Sequence, residues 1–567
     1  MNVKKIGYLL LGISVMLVFV SATLSADATI ESLINLPYLV STYLGGNGND
    51  GFGGIQLASD SHGNIYIVGY TNSSNFPPSL GNYQSPLRGG NDIYICKLNS
   101  GLTDVLAAAY IGGTGDDQYA GICINAQGEV IIAGYTGSSN FPITPGVVGG
   151  TYMGGSSDMF VAILDADLNT LIASTYLGGN QAEGPYNCPG LLTNTNGDIY
   201  VAGTTNSSDF PKTSNAYDTL YGGNTDYFIT RLSSDLTSIL SSTFVGGSGI
   251  EAFPSLVLDS ENNIFIGGST GSGDYPTTPN SYNRIHSGSY YNSAISKLDN
   301  SLSNLLASTL VGDAGVAELI IDDQGNLYNT GHTNHADYYT TPGAYDRTYN
   351  GYNDGFISKV DNDLENMVAS TFLSGTTNSC CFMGTLVCDG NGNIYAFGLT
   401  ESSNFPITID AVQSIYGGGM HDAVIIKMDT DLSSISYASF IGGSLDDAGN
   451  EFIICDLSNS LIMAGHTVST DFPTQSNVYS PNFNGGNYDA FIVKHYFNLN
   501  CGDANGDGDV NVGDAVYIIS HVFKGGPAPN PIEAGDANWD GDCNVGDAVY
   551  LINHVFKGGP GPCEVEQ

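Results

Sequence analysis

From Ser41 onward the chain is cut into short apolar runs separated by turns rich in Gly, Asn and Asp. Gly54-Ile55-Gln56-Leu57-Ala58 alternates with the period of a strand, and Ile65-Tyr66-Ile67-Val68 follows after the turn Asp60-Ser61-His62-Gly63-Asn64. A long Gly-rich loop then leads to Ile93–Leu98 and to Val105–Ile111. Helical periodicity is almost absent. The pattern predicts four strands, a to d, with a tight hairpin between a and b.

The pattern repeats. The aromatic or leucine of the opening segment recurs at Tyr43, Tyr110, Tyr176, Phe244, Leu310, Phe372 and Phe440, in steps of 62 to 68 residues. A fixed long period signals an array of like units. One small four-stranded sheet cannot bury its apolar faces alone, whereas seven arranged radially bury one another and leave few edges. The expected fold is therefore all-β, a seven-bladed β-propeller. The chain opens with a d-type strand at Tyr38–Leu44, and the seventh unit supplies only a, b and c (Phe452–Cys455, Leu461–Ala464, Ala490–Lys494). The N-terminal strand should complete blade seven. The b–c and d–a loops share one face of the disc, where binding is to be sought first.

After strand b the units read TNSSNFP at 71, TGSSNFP at 136, TNSSDFP at 205, TGSGDYP at 270, TESSNFP at 400 and TVSTDFP at 467. Unit five departs, with Thr333-Asn334-His335-Ala336-Asp337-Tyr338-Tyr339 and no Pro. Recurrence within one chain points to architecture, since every blade has the same packing problem. The Ser, Thr and Asn residues are read as turn formers and the Phe-Pro pairs as packing between blades. Strand c ends in a basic residue at Lys97, Arg231, Lys297, Lys359, Lys427 and Lys494. Each is expected to pair with an acid of its own blade, such as Asp92 or Asp489. An acidic column stands at Asp50, Asp117, Glu183, Glu251 and Asp447. It can hold Ca²⁺ as a carboxylate ring or accept backbone N–H bonds in Gly-rich turns, and repetition favours the turn. These five are the candidate binding residues of the propeller. No catalytic metal is expected there. Replacing Asp117 or Asp447 should affect any activity more than replacing Lys359.

Gly63 to Pro77 and Gly392 to Pro406 are close examples of the pattern G-N-I-Y-[VA]-x-G-x-T-x-S-x-[ND]-F-P, the first with Ile67 at its fifth position. Residues 36–495 resemble the bacterial SBBP-type β-propeller repeat. The resemblance implies the fold and little about activity.

Composition narrows the partners. Asp and Glu number 56 against 14 Lys and Arg, a formal charge of −42, which disfavours nucleic acid and anionic membranes and suits calcium. Residues 1–26 read as a secretory signal, with Lys4 and Lys5 ahead of the apolar run Ile6–Val20. No other segment is apolar enough to span a membrane, so a secreted or cell-surface location is expected. Ten cysteines permit disulfides in that setting. The strand cysteines read as buried free thiols, Cys380, Cys381 and Cys388 are close enough for a local bridge, and Cys501 and Cys563 flank the last segment as a plausible clasp. Cys543 is expected to pack between the loops of that segment.

The terminal segment carries the clearest chemistry. Asp503, Asn505, Asp507, Asp509, Asn511 and Asp514 stand at positions 1, 3, 5, 7, 9 and 12 of a calcium loop, with Gly508 at the sharp turn. Asp536, Asn538, Asp540, Asp542, Asn544 and Asp547 repeat the set around Gly541. Hard oxygen donors at alternate positions let a short loop wrap a large cation, so two calcium ions are expected. Each loop runs into a helix that stops at Lys-Gly-Gly-Pro. Asn511–Pro527 and Asn544–Pro560 differ only at Ile518/Leu551 and Ser520/Asn553. Val516, Ile519, Val522 and Phe523, with Val549, Ile552, Val555 and Phe556, are the large residues available to a core. The helix that precedes an ordinary EF-hand loop is missing. Residues 501–563 look like a type I dockerin, which implies calcium-dependent folding and docking onto a cohesin domain. The partner-reading positions are Val512-Gly513 and Val545-Gly546 rather than the family's hydroxyl pairs, so cohesin specificity does not carry over.

Three domains are expected: a signal peptide at 1–26, the propeller at 30–498 and the dockerin-like domain at 499–567. Gly267 to Gly271 fits GxSxG and Gly46 to Gly51 fits GxGxxG, but neither leads into a helix as a nucleophile elbow or dinucleotide fingerprint requires. No HExxH motif is present. The sole Trp, Trp539, lies in the second calcium loop. The expected role is that of a secreted binding protein. The propeller would recognise a carbohydrate or protein ligand, and the terminal module would attach it to a cohesin-bearing assembly. The alternative is a polysaccharide hydrolase or lyase with its active site on the b–c and d–a loop face.

Overall fold

The computed structural model describes residues 39–51, 54–76, 83, 89–184, 188–288, 290–376, 381–389, 392–455, 460–497, 501–505, 509–529, 532–538 and 543–562. The expected signal at 1–26 lies outside them. Twenty-eight strands form seven four-stranded antiparallel sheets, each ordered a-b-c-d. In blade one these are Gln56–Ser59, Ile65–Thr71, Asp92–Leu98 and Val105–Ile111. The result is a seven-bladed propeller followed by two helices, Val512–Lys524 and Val545–Lys557.

Strands b and c are buried along their whole length in blade one. Successive side chains point to opposite faces of a strand. Ile65 and Ile67 therefore join blade seven's Ile462, Ala464 and Ile492, while Tyr66 and Val68 join blade two's Val130 and Ile132. The same arrangement recurs round the ring, so the core is seven interblade clusters. The Phe of each Phe-Pro loop belongs to such a cluster, and three stack on the strand-c aromatic of their own blade: Phe141 on Phe160 at 4.4 Å, Phe210 on Phe228 at 4.1 Å and Phe472 on Phe491 at 4.4 Å.

The ring closes with three strands plus one. Leu39–Leu44 pairs antiparallel with Asp489–Tyr496, Leu39 facing His495 and Leu44 facing Ala490. The Tyr43 hydroxyl donates to the Ser469 carbonyl (2.8 Å) and accepts from the Phe472 N–H (2.9 Å). Blade-seven strands run longer than their apolar segments suggested, to Asp447–Cys455, Ser460–Thr467 and Asp489–Tyr496.

Two expectations are corrected. Cys381 and Cys388 form no disulfide and stand at the two ends of one eight-residue strand, so the two do not bridge; Cys380 lies outside the described residues. An extended strand of that length separates its ends by roughly 20 Å or more. The helices do not turn their largest apolar residues inward. Ala515, Ile518, Ala548 and Leu551 form the buried core between them, with Ile519, Ile552 and Cys543 at its edge. Val516, Val522, Phe523, Val549, Val555 and Phe556 are exposed.

Among the described residues no helix is long and apolar enough to cross a membrane.

Candidate functional site

The five acids of the propeller column are buried acceptors in turns. Asp117 takes the Gly113 N–H (2.7 Å) and the Ser138 hydroxyl (3.0 Å). Glu251 takes the Thr270 hydroxyl (2.7 Å) and the Ser272 hydroxyl (2.6 Å), and Asp447 the Gly443 N–H (2.7 Å) and the Ser469 hydroxyl (2.9 Å). Asp50 and Glu183 are held the same way, by Gly46, Thr71 and Ser73 and by Gly179 and Thr205. The hydroxyls are the Thr and first Ser of the T-x-S repeat. All five side chains are essentially inaccessible.

Each acid also faces the first residue of strand c in the preceding blade. The pairs are Asp489 with Asp50, Asp92 with Asp117, Asp158 with Glu183, Asp226 with Glu251 and Asp422 with Asp447. A Cβ on Gly178 would lie 2.6 Å from an oxygen of both Asp158 and Glu183, and one on Gly246 would lie 2.8 Å from both Asp226 and Glu251. That close approach is why the opening segment needs its first glycine. Burial raises the carboxyls of Asp117 and Asp226 to about 6, and those of Glu251, Asp447 and Asp489 to about 7. The cause is the loss of water, which disfavours charge, opposed by the donated hydrogen bonds.

The basic column is structural, but its expected partners are corrected. Lys97 lies 3.7 Å from Asp60, Arg231 2.5 Å from Asp198, Lys297 3.1 Å from Asp259 and Lys359 3.4 Å from Asp322. These acids sit in the a–b hairpin. Asp92 begins the strand that Lys97 ends, so the two stand on opposite faces of the disc. These four cations also lie over a strand-b aromatic, as Lys97 does over Tyr66 at 5.1 Å.

Two places break the repeat, and they adjoin. The first is the central channel, a cavity of about 380 Å³ whose lining includes Ser255, Glu318, His332 and His466. Three residues before the repeat Thr, strand b pairs in turn with Gln56, Gly121, Gly190, Ser255, Glu318, Thr385 and Glu451. This column varies while its neighbours repeat. The Ser255 hydroxyl donates to Glu318 Oε1 (2.8 Å), and burial raises the Glu318 carboxyl to about 7. Burial lowers His332, and lowers His466 to about 4. Phe253 lines the channel at φ 59°, a left-handed conformation that bulky residues avoid.

The second break is in blade five. Asp313 replaces the second Gly of the opening segment, and His335 replaces the first Ser of the b–c loop. His335 Nδ1 lies 3.6 Å from Asp313 Oδ2 and 3.9 Å from Asp337 Oδ1. Asp313 and His335 also line a cavity of about 360 Å³ together with Phe253, Tyr290, Tyr291 and His332. Sequence reading noticed the departure of this unit without nominating its residues. The signal was there: a column that is hydroxyl in every other blade becomes imidazole.

In the terminal module both loops are closed by the residue at position 12. Asp514 accepts the Asn505 N–H (3.1 Å) and the Asn511 N–H (2.8 Å), and Asp547 accepts those of Asn538 (3.1 Å) and Asn544 (2.8 Å). Asn511 and Asn544 are the N-caps of the two helices and complete capping boxes with these aspartates. Asp503, Asp514, Asp536 and Asp547 are buried at the loop ends, and Asp509 is exposed. Asp507, Asp540 and Asp542 lie outside the described residues. The module's lysines, Lys524 and Lys557, sit in the last turns of the helices, away from the loops. Buried hard-oxygen donors remote from basic side chains fit a divalent cation such as calcium. Cys501 is disulfide-bonded. A Cβ on Gly502 would lie 2.7 Å from Pro562 Cγ, so the two ends of the module meet.

Comparison with known proteins agrees with this division. Residues 501–556 match the family model of the dockerin type I domain, and residues 41–77 and 174–211 match that of a β-propeller repeat. No protein with a curated description matches the chain. Among solved structures, a protein of unknown function from Dyadobacter fermentans is 11% identical over 65% of this chain and 95% of its own, with a TM-score of 0.38. A polysaccharide lyase, an ulvan lyase, is 11% identical over 76% and 92%, at 0.41. An α-L-arabinofuranosidase of Fusarium graminearum is 10% identical over 64% and 92%, at 0.36. Likeness at this level carries no argument about activity. The chain carries SBBP-type repeats on a seven-bladed β-propeller and, at residues 501–556, a dockerin type I domain.

Proposed function

We propose that this is a secreted binding protein whose propeller recognises a ligand and whose terminal module docks onto a cohesin domain in a calcium-dependent way. One ion is held by Asp503, Asn505, Asp507, Asp509 and Asp514, with Asn511 reached through water. The second is held by the equivalent set from Asp536 to Asp547. The cations neutralise buried carboxylates and fix the loops that start the two helices. The observation that carries the docking reading is the outward apolar pair on each helix. Val516 and Phe523 on one, and Val549 and Phe556 on the other, are between 53% and 69% exposed. Large apolar residues left outside a small module mark a surface that a partner covers. The test is binding of the full chain to a panel of cohesin domains, with calcium and with chelator. Binding that survives chelation, or no binding to any cohesin, refutes the reading.

A second reading, that of a carbohydrate-active enzyme, is favoured by the channel. A carboxyl that burial raises to about 7, in a channel also lined by two imidazoles, is equipped for general acid or base work. A polysaccharide panel assayed for binding and for new reducing ends separates the readings. Turnover abolished by Glu318→Gln would place the chain among enzymes, and binding without turnover would keep it a recognition module.

A further inference from the structure

Blade five keeps the frame of the repeat and changes its chemistry. In blades one, two, three, four and seven the [ND] residue of the b–c loop caps the turn opposite, as where Thr114 N–H donates to Asn140 (2.9 Å), Asn180 N–H to Asp209 (3.0 Å) and Ser444 N–H to Asp471 (2.9 Å). The first Ser of the same loop reaches the buried acid, as Ser138 reaches Asp117 (3.0 Å). In blade five the acid position is Ala317, the Ser position is His335, the [ND] position is Asp337, and the turn itself carries Asp313. Two changes that would each disturb the repeat alone occur together and bring an imidazole between two carboxylates.

We propose that Asp313, His335 and Asp337 form a binding site for a divalent transition-metal cation such as Zn²⁺. The donor atoms of the three side chains all lie within 4.8 Å of one another. Tetrahedral coordination with bonds of about 2.1 Å sets donors roughly 3.4 Å apart. The 3.6 Å and 3.9 Å separations from His335 Nδ1 need only a few tenths of an ångström of closure. The donor set selects the metal: imidazole suits zinc and its neighbours, whereas calcium takes oxygen almost exclusively. Asp313 is preset for the role. Its Oδ1 accepts the Asn292 amide (2.9 Å), which leaves Oδ2 facing the imidazole, and its carbonyl accepts the Thr333 hydroxyl (2.5 Å). Asn292 is itself a departure, since strand c begins with Asp in the other six blades. Three protein ligands leave a coordination position open, as in zinc sites that bind a further molecule. Asp313 and His335 both line the cavity walled by Phe253, Tyr290 and Tyr291. The site stands apart from the calcium loops and does not depend on cohesin docking.

The test is zinc titration of the full chain in saturating calcium, which keeps the terminal loops filled. Wild type should bind one zinc ion that raises the thermal midpoint of the propeller. His335→Ser and Asp313→Gly restore the residues of the other blades, so both should fold, and both should weaken that binding at least tenfold. Asp337→Asn changes a side chain that is 87% exposed, cannot act through folding, and should weaken it as well. Absence of zinc binding in wild type, or binding unchanged by the His335 and Asp337 variants, overturns the proposal.

Discussion

The carboxyl group of Asp158, at the start of strand c in blade two, packs against that of Glu183 at the entrance to blade three: a Cβ on Gly178 would lie 2.6 Å from an oxygen of each. Both side chains are inaccessible. Asp158 Oδ2 accepts the Met153 N–H (2.6 Å), while Oδ1 has no other donor. Burial pushes both groups above the ordinary carboxylate range, and two acids in contact cannot both carry charge cheaply. Both effects bias the pair toward its protonated forms, and four further interblade pairs repeat the arrangement.

The pairs set the pH dependence of the propeller. An acid whose folded pKa is raised binds more protons in the folded state, so stability falls as pH rises through that value. Here the loss should run from about pH 4 to about pH 8, bounded by Asp117 and Asp226 at about 6 and Asp422 at about 8. Asp60, Asp259 and Asp299 are lowered by local hydrogen bonds against their burial, and oppose this only below the ordinary carboxylate range; the imidazoles of His332, His466 and His495, lowered by burial, are fewer than the raised acids and oppose it up to about pH 6.5. The midpoint of thermal unfolding of the propeller should be highest near pH 4 to 5 and decline toward pH 8. A midpoint that climbs steadily over that interval contradicts the raised carboxyls.

Blade four carries an amide where the other blades begin strand c with an acid. There Asn292 holds the strand-c position and donates to Asp313. Asp158→Asn should do the same toward Glu183, with the amide supplying a permanent donor. The variant is expected to match wild type near pH 5 and to exceed it by a few degrees at pH 8 in differential scanning calorimetry. Equal destabilisation at both values would mean that the carboxyl is required as an anion.

The clasp is testable through Tyr43, which is 1% exposed and contacts Phe472 and Phe483 edge-on. Tyr43→Ala removes a large buried ring and two hydrogen bonds from the only blade built from both ends of the propeller. The expected cost is about 3–5 kcal/mol, read by chemical denaturation. Tyr43→Phe keeps the ring, leaves the Phe472 N–H without its acceptor, and should cost about 1–3 kcal/mol. Little loss from Tyr43→Ala would show that the ring does not depend on the added strand.

Blade number, strand order and closure were readable because they follow from a period and from which strand is missing at each end. The carboxyl pairs were not. Asp92 and Asp117 each belong to a visible column, but only the stacking of one blade on the next brings the columns together. The Lys97 partner was misread for a related reason: an acid in the same blade can stand at either end of a strand, and only the hairpin end is in reach. In the terminal helices, apolar residues were counted without regard to which face meets the partner helix. The small residues Ala515 and Ala548 let the helices close, and the phenylalanines were left outside.

Calcium should supply much of the folding free energy of the terminal module. A segment of this size builds a marginal core, and its buried cluster contains four alanines, one isoleucine and one leucine. Segment 499–567 should gain helical circular dichroism on calcium addition and lose it on chelation, because a ligand that binds only the folded form stabilises it. A disulfide from Cys501 to Cys563 should raise the midpoint further under oxidising conditions, and reduction should lower it. Helicity indifferent to chelator would remove the calcium sites from this module.

The exposed phenylalanines give the sharpest test of docking. Phe523 and Phe556 occupy equivalent positions on two nearly identical helices and are 68% and 69% exposed. The matching halves allow a partner to seat on either helix, so Phe523→Ser or Phe556→Ser alone should lower cohesin affinity only a few-fold. The double variant removes the aromatic anchor from both orientations. Loss of a central aromatic anchor commonly costs 2 kcal/mol or more, so affinity should fall by roughly thirtyfold or beyond. Neither side chain is part of the buried cluster, so the calcium-dependent helical signal should be unchanged in all three variants. A single variant as damaging as the double would show that only one orientation is used, and full affinity in the double variant would move the docking surface elsewhere.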